Sequence, residues 1–151
     1  MEQAEKEKLI EALHSLKKAQ TWSTSMEGVS RGEYFMLHMI HHLTKKLNES
    51  ETGAKITDLS KAAQMSRPAV SQMLNSLENK KLIERAMDKS DRRVVFVKLT
   101  DNGNDQLEKT HKQFQAWLDQ IIEELGAEDT AELARLVNKL HLIMEHLTEH
   151  I

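Results

Sequence analysis

Residues 56–103 read ITDLSKAAQMSRPAVSQMLNSLENKKLIERAMDKSDRRVVFVKLTDNG. The stretch holds two helical patterns separated by a tight turn, an alternating apolar segment, a charged tip and a second alternating segment. Thr57 is placed to cap the first helix, whose apolar positions are Leu59, Ala62 and Ala63, with Asp58 in the first turn where the helix dipole favours a carboxylate. Met65-Ser66 breaks the pattern. Ser66 is a good N-cap for the second helix, and Pro68 falls in the first turn, where a missing N–H costs nothing. Val70, Met73, Leu74 and Leu77 then recur at i, i+3, i+4 and i+7, so this helix buries one stripe. Its opposite face carries Arg67, Ala69, Ser71, Gln72 and Asn75, which are small groups or groups able to donate and accept hydrogen bonds.

Leu82 to Met87 and Val94 to Leu99 have strand character. In the second, Val95, Val97 and Leu99 share one face and Val94, Phe96 and Lys98 the other. The tip between them, 88–93, is DKSDRR. Turn formers alone would close a hairpin. Two adjacent Arg residues add a probe for phosphate or a minor groove, and Asp91 can pair with one of them. Helix, turn, helix and Arg-tipped hairpin in this order describe a winged helix-turn-helix, a unit that reads DNA. On that reading Ser66, Arg67, Pro68, Ala69, Ser71, Gln72 and Asn75 face the major groove, and Lys89, Arg92 and Arg93 act from the wing. An ordinary amphipathic helix beside a solvated charged loop would show the same stripe and the same tip.

The string DKSDRRVVFVKLTDNG after a helix-turn-helix resembles the MarR (multiple antibiotic resistance regulator) family, whose hallmark is a D-x-x-D-x-R wing running into an L-T-x-x-G helix start. Here these are Asp88, Asp91 and Arg93, then Leu99, Thr100 and Gly103. The chain also has the family's length and helix order. The resemblance implies a homodimer in which N- and C-terminal helices of two subunits interlock. It makes 30–99 a winged-helix lobe that binds DNA, and 1–29 with 100–151 a helical dimerisation lobe. The fold class is therefore mainly α with a small β-wing.

Composition agrees with this picture. Aromatic residues make up 4% of the chain and there is one proline, so Leu, Ile, Val, Met and Ala carry the apolar content and favour helices. No apolar run approaches the roughly 18 residues of a membrane span, and the charged N-terminus MEQAEKEKLI has no signal core, so a soluble cytoplasmic protein is expected. The absence of cysteine excludes disulfides, thiolate metal sites and cysteine-based peroxide sensing. The formal net charge of −3 divides unevenly. Residues 55–98 hold ten Lys/Arg and five Asp/Glu, a net of +5, and the rest of the chain carries −8. The phosphate-facing surface thus belongs to the central segment.

Outside it, Leu9, Leu13 and Leu16 with Ala12 and Ala19 stripe a first helix over about residues 5–21. A loop follows over 22–29. Ser30-Arg31-Gly32-Glu33 is a capping box that opens a helix with Met36, Met39, Ile40, Leu43 and Leu47 on one face. Lys55 and Ile56 are expected to add a short strand beside the wing. Thr100 caps a long helix in which Leu107, His111, Phe114, Leu118, Ile121 and Leu125 step by 4 and 3, a coiled-coil-like seam. Gly126 ends it. A last helix over about 127–150 repeats Leu133, Val137, Leu140, Met144 and Leu147, widened by Leu136 and Ile143.

Eight histidines include His38, His41 and His42 at i, i+3 and i+4, His141 with Glu145, and His146 with His150, all spacings that could chelate zinc. Some regulators of the resembled family sense zinc through a His at the start of the second helix and paired His on the fifth. This chain has Tyr34 and the single His111 at those places, so that site is not reproduced, and no metal or other cofactor is expected. No HExxH, GxSxG or phosphate-cradling glycine loop occurs, so no catalytic residue is assigned. The expected function is sequence-specific binding of a double-stranded DNA operator with an inverted repeat, as a repressor, without membrane association. A small-molecule effector would be held near Trp22, Tyr34 and His38. The alternatives are a winged-helix protein-interaction module and a zinc-responsive regulator using clustered histidines.

Overall fold

The computed structural model describes residues 2–19, 26–46 and 53–149. Their elements are α1 (Glu2–Lys18), α2 (Arg31–Lys46), β1 (Ala54–Lys55), α3 (Ile56–Ala63), α4 (Arg67–Asn79), β2 (Ile83–Met87), β3 (Val95–Leu99), α5 (Asp101–Leu125) and α6 (Ala127–Thr148). This is a mainly helical chain with one small sheet. Trp22, Leu47 and His150 lie outside the described residues. Among the described residues no helix is long and apolar enough to cross a membrane.

The chain divides into two compact units, Met1–Gln113 and Phe114–Ile151. The first is built on an antiparallel sheet of order β1-β3-β2. Ile83 pairs with Leu99 and Met87 with Val95, which makes β2–β3 the hairpin of the wing. On its other edge β3 takes β1, with Ala54 opposite Val97 and Lys55 opposite Phe96. Val97 is fully buried on the core side, as the alternation requires. Phe96 is only 8% exposed although it belongs to the other face. Its register partners across the strands are Lys55 on one side and Ala86 on the other.

One strand end and one helix start differ from expectation. The strand ends at Lys55, so Ile56 opens α3 rather than extending β1, and Lys55 is the N-cap of α3 without a side-chain cap. Thr57 therefore lies inside the first turn and caps nothing. The reason is tertiary: pairing with β3 holds Lys55 in extended conformation, φ −72° and ψ 138°, directly before the helix. With the helix begun at Ile56, its inward stripe is Ile56, Leu59 and Ala63, and Ala62 is exposed. The α3–α4 turn passes through Gln64 in the left-handed region, φ 51° and ψ 39°, and Ser60 Oγ donates to the Met65 carbonyl at 2.8 Å to close it.

The core packs α2, α3 and α4 against the sheet. Leu37, Ile40, Leu59, Val70, Leu74 and Leu77 are fully buried there. Leu37, outside the expected stripe, is as deeply buried as Ile40, so α2 shows the core a wider face than the sequence period indicated. Thr100 acts at the start of α5: its Oγ1 accepts from Gly103 N at 3.0 Å and donates to the Lys81 carbonyl at 2.7 Å. Gly103 sits so close to the Leu82 backbone that a Cβ would collide with its carbonyl oxygen, which is the physical content of the L-T-x-x-G glycine. Leu107 closes this side of the core.

In the second unit Phe114 stacks with Trp117 at 5.7 Å between ring centroids. Gly126, φ 83°, separates α5 from α6. α6 buries no residue, and Leu133, Val137, Leu140, Met144 and Leu147 are all exposed. Likewise α1 in the first unit buries none, with Leu9, Ile10, Leu13 and Leu16 exposed.

Candidate nucleic-acid interface

α4 starts as its sequence dictates. Ser66 is the N-cap, its Oγ accepts from Ala69 N at 3.3 Å, and Pro68 occupies the first turn. No acidic residue stands in that turn, so the positive end of the helix dipole is unopposed there. Val70, Leu74 and Leu77 point inward and are fully buried. Arg67, Pro68, Gln72 and Asn75 are exposed, and Ala69 and Ser71 are half-buried. The expected face is thus brought together on one side of one helix.

Two side-chain clusters hold that helix, and neither was assigned from sequence. The first centres on Glu33. Its capping box forms as expected, with Ser30 N donating to Oε2 at 2.8 Å and Glu33 N donating to Ser30 Oγ at 3.2 Å. The same carboxylate then reaches α4: Ser76 Oγ donates to Oε1 and Lys80 Nζ to Oε2, both at 2.6 Å. Glu33 is 6% exposed. Burial pushes its carboxyl up, but hydrogen bonds from Lys80, Ser76 and the Ser30 amide, with the Lys80 charge, outweigh burial and hold it below its ordinary value.

The second cluster ties α4 to the wing. Arg85 of β2 donates from Nη2 to Asn75 Oδ1, and its Nε lies 3.2 Å from Glu78 Oε2 as an ion pair rather than an aligned hydrogen bond. The Asn75 acceptor is therefore engaged with the protein. A basic residue on a strand paired with an acidic residue on a helix leaves no periodic trace, so only the fold brings these three together.

The wing tip is ordered by its own carboxylates. Asp88 Oδ1 accepts from Ser90 N and Oγ, both at 3.0 Å. Asp91 Oδ1 accepts from Arg93 N at 3.0 Å and Nε at 3.1 Å, and Oδ2 from Nη2 at 3.3 Å. The Arg93 side chain, then its amide, hold the Asp91 carboxyl below the usual carboxylate range. Lys89, Arg92 and Arg93 are exposed. The pairing of Asp91 is with Arg93, which leaves Arg92 out of that contact.

Of the expected effector residues, Tyr34 and His38 fall on another surface of the first unit, and Trp22 lies outside the described residues. Tyr34 is buried, and its hydroxyl meets His111 Nδ1 at 3.2 Å. Burial raises the Tyr34 pKa. His38, whose ring centroid lies 6.3 Å from that of Tyr34, lines a cavity of about 350 Å³ with His41, Asn104, Leu107, Glu108 and His111. Burial, then the charges of Lys45, His38 and His42, lower the His41 pKa. His41, Asn104 and Glu108 were not assigned from sequence, although His38/His41 and Asn104/Leu107/Glu108/His111 each share a helical face by spacing. Among the described residues, no group of three or more His, Cys, Asp or Glu side chains is placed to hold a metal ion.

Residues 29–95 match the sequence model of the MarR family. The HTH-type transcriptional regulator YdgJ of Bacillus subtilis (strain 168) is 26% identical over 120 residues, which cover 77% of this chain and 68% of that protein. A second regulator of that organism, YwhA, is 32% identical over 85 residues, covering 56% of this chain and 61% of YwhA. The fold is similar to that of MepR in the crystal structure of the S. aureus MepR–DNA complex, with a TM-score of 0.70 and 23% identity over 88% of this chain and 94% of that one. The matched segment takes in α4, its Glu33 support and the Arg-bearing wing tip, and over that segment the chain is similar to the MarR family.

Proposed function

We propose that this chain is a sequence-specific regulator of transcription that binds duplex DNA as a homodimer. One observation carries the reading: a helix with an exposed polar face, pinned from behind by Glu33 and from the side by Arg85, stands next to a hairpin whose tip exposes Lys89, Arg92 and Arg93. Ser66, Arg67, Pro68, Ala69, Ser71, Gln72 and Asn75 approach the major groove, and the wing approaches the adjacent minor groove. MepR, similar in fold, has been crystallised with DNA.

In this reading residues 30–99 are the DNA-binding lobe and residues 1–29 and 100–151 the dimerisation lobe. The apolar faces of α1 and α6, exposed in a single chain, suit burial against a second copy. Two-fold symmetry then calls for an inverted repeat with half-sites about one helical turn, ~34–36 Å, apart. Action is in the cytoplasm, as a repressor released by a small amphipathic molecule held near Tyr34 and His38. Such a ligand works only through unequal affinity for the DNA-bound and released conformations.

A genome-wide footprint of the bound protein, followed by titration of the recovered sites at several salt concentrations, tests this. The expected result is a two-fold symmetric site with steeply salt-dependent affinity. Binding to no duplex at low salt would refute the reading and favour a winged helix that binds protein.

A further inference from the structure

We propose that Lys55, Arg67 and Arg93 together form a seat for one phosphodiester of the DNA backbone, between the recognition helix and the wing. The proposal rests on the DNA-binding reading above and adds to it a site and a residue, Lys55. The three cations come from three separate places in the chain. Lys55 ends β1 and is the N-cap of α3, Arg67 is the first residue of α4, and Arg93 stands two residues before β3. With Thr57 they line a single open groove of about 310 Å³, completed by Ile56, Val94 and Val95. No carboxylate lines it.

Each cation is positioned by something other than its neighbours in the groove. Lys55 is set by strand pairing opposite Phe96. Arg67 is set by the Ser66 cap and Pro68. Arg93 is set by Asp91, which takes its Nε and Nη2 while its side chain stays 91% exposed. Asp91 offsets part of the Arg93 charge, but Lys55 and Arg67 converge with it on one cavity, and the arrangement becomes more favourable when an anion sits among them. The first N–H groups of α3 receive no side-chain cap, and Ile56 and Thr57 of that turn belong to the groove wall, so the helix dipole adds to the same field. Asp58 lies in that turn but does not line the groove.

The ligand class follows from charge and openness. The walls supply cations, one hydroxyl and short apolar side chains, with no ring to stack a base and no acceptor set to read one. That suits a tetrahedral oxyanion and carries no sequence information. The two wing arginines thereby separate in role: Arg92 works at the tip and Arg93 at the seat beside the recognition helix.

The test uses the full chain and a labelled random-sequence duplex, titrated over a series of KCl concentrations. Lys55→Gln should lower the slope of log affinity against log salt by about 0.9, and Lys55→Arg should restore it. The ratio of affinities for a footprinted site and the random duplex should be the same in parent and Lys55→Gln. Thermal melting of both variants at the parent temperature ties the change to the charge. An unchanged slope in Lys55→Gln, with Arg92→Ala lowering it, would overturn the seat and leave DNA binding standing. A parent that binds no duplex overturns both. Inorganic phosphate at matched ionic strength separates the other source of this chemistry: if it binds the parent and not Lys55→Gln, yet leaves the bound duplex in place, the groove is a free-anion site and the phosphodiester assignment is wrong.

Discussion

Glu33 at the start of α2 and Lys80 at the end of α4 are joined by a 2.6 Å ion pair, with the carboxylate side chain 8% and the ammonium side chain 41% exposed. The residue that caps one helix thereby anchors the far end of another, and the second helix is the one proposed to face DNA. Removal of the carboxylate should be costly, because Ser30, Ser76 and Lys80 lose a shared acceptor. Glu33→Ala is expected to lower stability by about 2–4 kcal/mol, measured by urea unfolding at neutral pH. The folded-state pKa lies below the ordinary value of 4.5, so this contribution is fully present above that pH and is lost as pH falls through the folded value. The gap between parent and variant should therefore narrow on acidification below 4.5. A gap that is constant with pH would mean that the cap and packing, rather than the charge, carry the effect.

Assembly gives a second expectation. Leu140, Met144 and Leu147 lie exposed on a helix with no buried residue. A chain ending after Leu140 should sediment as a monomer and bind an inverted-repeat site far more weakly than the parent. If the shortened chain still sediments as a dimer, the interface lies elsewhere.

The recognition helix and the wing tip should differ in what they contribute. Gln72 is exposed on α4, and a bidentate contact from Gln to adenine is worth about 1–3 kcal/mol of discrimination. Gln72→Ala should weaken binding to a footprinted site by that amount and leave binding to scrambled duplex nearly unchanged. Arg92→Ala should weaken both alike and reduce the salt slope by about one. Arg93→Ala should cost more, because Asp91 loses the partner that orders the loop. Parent-like binding by both Arg variants would show that the wing does not touch DNA.

For regulation, the hydroxyl of Tyr34 on His111 and the cavity beside His38 lead to a paired measurement. Amphipathic small molecules that lower DNA affinity should do so without dissociating the dimer. Tyr34→Phe and His38→Ala should blunt that response with little change in affinity for DNA alone. Zinc should have little effect on DNA affinity, and a steep stoichiometric response to it would instead assign the histidines to a metal.

The order of elements, the α4 cap and the buried stripe of Val70, Leu74 and Leu77 were all legible in the linear chain. So was the pairing of Asp91 with an Arg. Each depends on residues within a few positions of one another, where helical period, turn chemistry and capping act locally. The contacts that orient the helix were not legible. Glu33 meets Ser76 and Lys80 across more than forty residues, Asn75 is claimed by Arg85 from a strand, and Lys55 joins Arg67 and Arg93 in one groove only because β1 pairs with β3. Even the N-cap of α3 is Lys55 rather than Thr57 for that reason. The sequence by itself determined the inward stripe of α4 and which segments are helix or wing, because burial and backbone preference are read one element at a time. Which polar groups meet between separate elements was decided by the tertiary structure alone, because strand pairing and helix packing join groups whose separation along the chain has no period.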